Sequence, residues 1–128
     1  MPFSNRRFLV VEDESLIALS LVDTLERLGA NEARAVSREQ ECLDLLEGNA
    51  FDCALLDANL HGRSVENIAA ALTRRQIPFV FITGYGRSGL PAEFQQALVL
   101  AKPISDEQLL EAVTAVLSKP RKVIRLQT

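Results

Sequence analysis

Four short apolar runs in this chain each lead into polar residues with chemistry of their own. Phe8–Val11 leads into Glu12 and Asp13, Cys53–Leu56 into Asp57, Phe79–Ile82 into Thr83, and Leu98–Ala101 into Lys102 and Pro103. Near-continuous apolar runs of this length belong to strands covered on both faces, as in parallel sheets. If all four are parallel strands of one sheet, their closing residues converge on one edge, where open α/β sheets bind ligands. The pattern predicts a small acidic pocket with one hydroxyl and one ammonium.

The stretches between the runs read as helices. Ile17, Leu21, Leu25 and Leu28 recur at helical spacing, and Gly29 follows where a left-handed helix cap belongs. A weakly apolar strand over 32–36 reads as a sheet edge, and Ser37 with Gln40 reads as a capping box opening a second helix that Gly48 ends. Val65, Ile68, Ala69 and Leu72 give the third helix its apolar face, and Pro78 leads into the strand that follows. Gly84, Gly86, Gly89 and Pro91 crowd the stretch before Phe94 and leave the fourth helix barely two turns. Ser105 with Gln108 forms another capping box and Ile104 with Leu109 a hydrophobic staple, so the fifth helix is expected over 106–118. The alternation is (βα)5, an α/β doubly wound parallel sheet with right-handed crossovers and helices on both faces.

A chain of 128 residues makes one domain that buries roughly two-thirds of its unfolded surface. The reading is a single domain over 1–118, followed over 119–128 by a tail whose basic residues are Lys119, Arg121, Lys122 and Arg125. Although 48% of residues are hydrophobic, no uninterrupted apolar stretch reaches the ~18 residues of a membrane span. The N-terminal residues carry no apolar signal core, so cytoplasmic residence is expected. A net charge of −3 argues against a general nucleic-acid binder. Cys42 and Cys53 read as core filling, since no metal-ligand spacing accompanies them. His61, beside Gly62, reads as an exposed loop residue rather than a general base.

Three carboxylates gathered within about 5 Å repel by roughly 3 kcal/mol per pair at an effective dielectric of about 20, so a cation must answer them. Lys102 supplies one positive charge, and an all-oxygen carboxylate site suits a hard divalent ion such as Mg2+. Asp57 is then the candidate nucleophile toward a phosphoryl group, with the Thr83 hydroxyl and the Lys102 ammonium binding the remaining phosphoryl oxygens. Any one of these residues could be a turn or cap on its own; their order at successive strand ends favours the pocket.

These residues resemble the receiver domain of bacterial two-component response regulators, over essentially the whole span from Arg7 to Leu117. The matching motifs are Val10-Val11-Glu12-Asp13-Glu14, Leu55-Leu56-Asp57-Ala58-Asn59-Leu60-His61-Gly62, the Thr83 position and Ala101-Lys102-Pro103. The resemblance implies a flavodoxin-like strand order 2-1-3-4-5 and phosphorylation of Asp57 from the phosphohistidine of a sensor kinase or phosphotransfer protein. It also implies Mg2+ held by Asp13, Asp57 and the backbone carbonyl of Asn59, with Glu12 acting through a bound water. Phosphorylation in the family draws the threonine hydroxyl toward the phosphoryl group and remodels the face of the fourth helix, fifth strand and fifth helix. One departure is Val99, where the family usually has a tyrosine or phenylalanine whose swing reports phosphorylation. Phe81-Ile82-Thr83-Gly84-Tyr85-Gly86 instead resembles the FATGUY subgroup, with Ile82 in place of the usual alanine, and makes the glycine-flanked loop the expected bistable element.

The expectation is a stand-alone phospho-acceptor that signals by binding another protein, passing its phosphoryl group onward, or draining it from a shared kinase. A Mg2+-dependent phosphatase with an aspartyl nucleophile would carry a second aspartate as general acid where this chain has Asn59. A flavin-binding flavodoxin would need a hydroxyl-rich loop where Glu12, Asp13 and Glu14 would repel phosphate. A third reading is a constitutive binding module whose acidic site is idle.

Overall fold

The computed structural model describes residues 1–84 and 97–118. The expected fourth helix, Tyr85 and Gly86 of the glycine-flanked loop, and the basic tail lie outside the described residues. In chain order the elements are β1 (Arg7–Val11), α1 (Ser15–Arg27), β2 (Glu32–Val36), α2 (Glu39–Gly48), β3 (Cys53–Asp57), β4 (Asn59–Leu60), β5 (Arg63–Ser64), α3 (Glu66–Arg74), β6 (Phe79–Thr83), β7 (Val99–Ala101) and α4 (Asp106–Leu117).

Five strands pair in parallel in the order β2-β1-β3-β6-β7, the flavodoxin-like 2-1-3-4-5 pattern expected from the sequence. Side chains alternate across the sheet, and the apolar runs supply both faces. Phe8 and Val10 of β1, Cys53 and Leu55 of β3, and Val80 and Ile82 of β6 pack with Leu21 and Leu25 of α1 and Leu109 and Val113 of α4. Leu9, Val11, Ala54, Leu56 and Phe81 point the other way, against Cys42 and Leu46 of α2 and Ile68 and Leu72 of α3. Burying a leucine- or phenylalanine-sized side chain contributes roughly 1.5–3 kcal/mol. This two-sided burial is what holds the strand ends in register.

The helix ends follow local chemistry. Gly29, at φ +102°, closes α1 in a Schellman motif: its N–H donates to Glu26 O and that of Ala30 to Leu25 O, both at 3.0 Å. The Ser105 capping box is present, with Ser105 Oγ accepting from the Gln108 N–H at 3.1 Å and Gln108 Oε1 from the Ser105 N–H at 3.0 Å. The box expected from Ser37 and Gln40 is not. Helix α2 starts one residue later, behind Arg38, so the third helical position is Glu41, whose Oε1 accepts the Ser37 N–H at 3.2 Å.

A further departure lies between β3 and α3. The segment expected to be a plain loop forms a two-stranded antiparallel hairpin, pairing Asn59 with Ser64 and Leu60 with Arg63. Its two turn residues, His61 and Gly62, have φ of 53° and 75°, the pair of positive values that a type I′ turn requires. Among the described residues, no helix is long and apolar enough to cross a membrane.

Candidate functional site

The parallel register delivers the strand-end residues to one rim. Val11 pairs with Leu56, Asp57 with Ile82, and Thr83 with Ala101, so the residues that follow β1, end β3 and β6, and follow β7 sit side by side. Asp13, Glu14, Asp57, Asn59, Gly62, Thr83, Gly84 and Lys102 line one open cavity there of about 450 Å3. All the sequence-predicted residues are brought together. Glu12 sits just beneath, 2% exposed, with Asp57 at 4% and Thr83 at 2%.

Each acid has a distinct setting. Oxygens from the Glu12, Asp13 and Asp57 carboxylates lie within 4.8 Å of one another. Asp57 Oδ1 accepts the N–H of Asn59 at 3.0 Å, an Asx-type turn that fixes the carboxylate at the strand end. Glu12 Oε2 accepts the Glu14 N–H at 3.1 Å. Asp13 Oδ2 accepts the His61 N–H at 3.0 Å. Lys102, which precedes Pro103 across a cis peptide bond, places Nζ 2.9 Å from Glu12 Oε1, 3.5 Å from Asp57 Oδ2 and 3.5 Å from Glu14 Oε1. Its N–H donates to Thr83 O at 2.9 Å, which ties the lysine to the threonine strand.

The electrostatics follow from this crowding. Burial first, then hydrogen bonding with Asp57, pushes the Glu12 carboxyl up to about 7, against the pull of Lys102 and the Glu14 amide. Burial works the same way on Asp13, but the His61 amide and its bonds to Asp57 and Glu12 outweigh it and hold Asp13 below its ordinary value. Lys102 is raised: desolvation opposes its charge, and Glu12, Asp57 and Glu14 overcome it. Among the described residues, one ammonium thus serves a cluster of three neighbouring carboxylates and Glu14. The donor set is all oxygen, which fits a small hard cation such as Mg2+ and excludes the thiolate-rich sites that soft metals prefer. Both cysteines are buried elsewhere, with burial pushing each thiol up to about 12.

His61 is exposed, as the sequence suggests, yet it is not a bystander. Its backbone holds Asp13, and its ring Nε2 lies 2.7 Å from Ser37 O. A backbone donor carries no residue-type signal. Only the His61-Gly62 pair, suited to two positive φ values, hinted at the turn that presents it.

Comparison with known proteins agrees with this arrangement. A family model described as "Response regulator receiver domain" matches residues 8–114. The transcriptional regulatory protein PdtaR of Mycobacterium tuberculosis is 27% identical over 126 residues, covering 95% of this chain and 62% of the relative. Nodulation protein W of Bradyrhizobium diazoefficiens is 31% identical over 118 residues, covering 88% of this chain and 52% of the relative. The chain therefore spans about half to three-fifths of the length of these curated relatives. The solution structure of the BeF3-activated conformation of SdrG from Pseudomonas melonis Fr1 is 37% identical, with a TM-score of 0.77 over 89% of this chain and 98% of that one. The family match takes in the first strand, the Asp57 strand end, the threonine and the lysine alike, and on that breadth the chain belongs to the response regulator receiver domain family.

Proposed function

We propose that this protein is a phosphoryl-accepting response regulator in which residues 1–118 act as the receiver and Asp57 is the acceptor. An Asp57 oxygen attacks the phosphorus of a phosphohistidine on a sensor kinase or phosphotransfer protein; the P–N bond breaks and the imidazole, already protonated on its other ring nitrogen, leaves neutral. Lys102 and the Thr83 hydroxyl bind phosphoryl oxygens as charge builds on them. Asp13, Asp57 and the backbone carbonyl of Asn59 would hold Mg2+, with Glu12 acting through water, and the ion would neutralise part of that charge. The output is protein binding or onward phosphotransfer, and the setting is the cytoplasm, where such donors act.

The observation that carries the reading is the placement of Asp57. The residue is 4% exposed, lines the cavity, and shares a cluster with two more acids and Lys102. The 37% identical SdrG has a BeF3-activated conformation, and BeF3 is a phosphoryl-like group, which supports the reading. The donor's docking surface is proposed on α1 beside the rim, where Leu16 is 80% and Leu19 65% exposed. Apolar side chains that large stay in water at a cost that a partner's helix removes by covering them.

The test is incubation with an acyl-phosphate donor and Mg2+. Wild-type protein gains one PO3 unit, and the gain disappears with a chelator or in Asp57→Asn. Retention of the label in Asp57→Asn ends the assignment. Steady turnover of a generic phosphate ester would favour the phosphatase reading, and an unlabelled wild type the idle-site reading.

A further inference from the structure

His61 joins three separate loops at the carboxyl edge of the sheet. It stands at the first turn position of the β4–β5 hairpin, at φ 53°. Its backbone N–H donates to Asp13 Oδ2 at 3.0 Å, across to the loop after β1. Its ring Nε2 lies 2.7 Å from Ser37 O, in the loop after β2. A carbonyl only accepts, so Nε2 carries the hydrogen. The hairpin is anchored from beneath by Leu60, which is 4% exposed and packs in the α2–α3 side of the core. The hairpin's buried end and the ring's bond to Ser37 together fix where the His61 N–H points.

From this geometry we infer that His61 is a positioning residue for the cation site: it orients Asp13 by clamping the β4–β5 hairpin to the loop after β2. This rests on the proposed Mg2+-dependent phosphoryl transfer at Asp57 and adds a residue to it. Asp13 is the partly exposed member of the acid cluster, with 21% of its side chain open to solvent, whereas Glu12 is packed beneath the rim at 1%. Burial cannot fix the rotamer of a carboxylate in that position, so a hydrogen bond must. Fixing Oδ2 leaves the carboxylate turned in one way toward Asp57 and lowers the ordering cost when a cation binds. Partners that orient a metal ligand in this manner typically contribute about 10–100-fold in metal affinity.

The experiment is Mg2+ titration by calorimetry on the whole chain, with acyl-phosphate labelling run at low and at saturating Mg2+. His61→Ala keeps the amide and removes the ring, whose Nε2 holds Ser37 O and whose Nδ1 lies 3.8 Å from Asp13 Oδ2, so a loosened Asp13 is expected to weaken Mg2+ binding about tenfold. Labelling should slow at low Mg2+ and return to the wild-type rate at saturation. His61→Gln keeps a side-chain donor at the reach of Nε2 and should recover most of the affinity. The melting temperature without Mg2+, followed for both variants, separates orientation from folding, because a fold defect lowers it and is not cured by Mg2+. Unchanged Mg2+ affinity in His61→Ala overturns the inference while leaving the Asp57 assignment standing. A labelling defect that persists at saturating Mg2+ also overturns it, since His61 would then act on something other than the cation. Wild-type protein that binds no Mg2+ overturns both readings.

Discussion

Lys102 lies closer to Glu12 than to Asp57: Nζ is 2.9 Å from Glu12 Oε1 and 3.5 Å from Asp57 Oδ2. The ammonium makes its short contact with Glu12, and Asp57 lines the open cavity. An acceptor locked in a tight lysine pair would be a poor nucleophile. The same lysine also leaves the cluster short of positive charge, which is the electrostatic case for a metal ion.

Replacing Lys102 with methionine should therefore cost more at high pH than at low. At pH 8 the loss of the one cation that the described residues place against them leaves Glu12 and Asp57 buried and uncompensated, a defect of about 3 kcal/mol. At pH 5.5 Glu12 holds a proton and the loss should shrink. Urea midpoints of wild type and Lys102→Met at the two pH values check this; an equal loss at both would mean that the lysine acts through packing alone.

Glu12 itself sets a pH dependence. Its carboxyl rises from 4.5 in the unfolded chain to about 7 when folded, so the folded protein keeps a proton that the unfolded chain has released. Stability from this group is full below about pH 4.5, is lost as pH climbs through about 7, and is level above. Glu12→Gln should remove that slope, matching wild type near pH 5 and exceeding it at pH 8. Mg2+ uptake below pH 7 must also displace the proton, so affinity in the wild type should tighten up to about pH 7 and then level. Denaturant midpoints and calorimetry across pH 5–8 test both parts, and a wild-type profile as flat as that of Glu12→Gln would remove the argument.

What the sequence made legible was whatever depends on residue type at a strand end. The apolar runs located β1, β3, β6 and β7, and the polar residues closing them located the cavity, because a parallel sheet puts all its carboxyl ends on one side. The hairpin over 59–64 was not legible, since strands of two residues carry no alternation. Nor was the bond from His61 to Asp13, which a backbone amide makes. At α2 the capping-box pattern of Ser37 and Gln40 lost to a start one residue later, behind Arg38, which makes no side-chain cap and so carries no local signal. The lysine was predicted to answer the cluster, but its closer approach to Glu12 than to Asp57 is a matter of tertiary geometry that residue type does not encode.

Docking and chemistry should separate on α1. Leu16 and Leu19 lie in the first turns of α1, which begins directly after Glu14, take no part in the acid cluster, and are mostly exposed. Leu16→Asp and Leu19→Asp should change stability by no more than about 0.5 kcal/mol, as surface substitutions usually do. Labelling by acyl phosphate should stay at the wild-type rate, while transfer from a phosphohistidine protein should slow by tenfold or so, about 1.4 kcal/mol of lost apolar contact. Equal slowing with both donors would move the leucines out of the docking role.

Gly84 offers a test of the switching element in a chain whose β7 carries Val99 in place of an aromatic. Its φ is outside the left-handed range and a Cβ there would meet no atom of the described residues within 4 Å, so the described conformation places no demand for glycine. Alanine should accordingly be tolerated, and stabilise by about 0.4–1 kcal/mol through the stiffer unfolded chain. A glycine that the resting backbone does not require is free to serve a second conformation, one in which the segment after Thr83 rearranges once the phosphoryl group engages the hydroxyl. Gly84→Ala, alone and with Gly86→Ala, is expected to leave Asp57 labelling intact and to blunt the phosphorylation-dependent change in amide exchange downstream of Thr83. Exchange that responds in the variants as it does in wild type would show that the glycines serve only the turn, and would return the search for the switch to the β7 face.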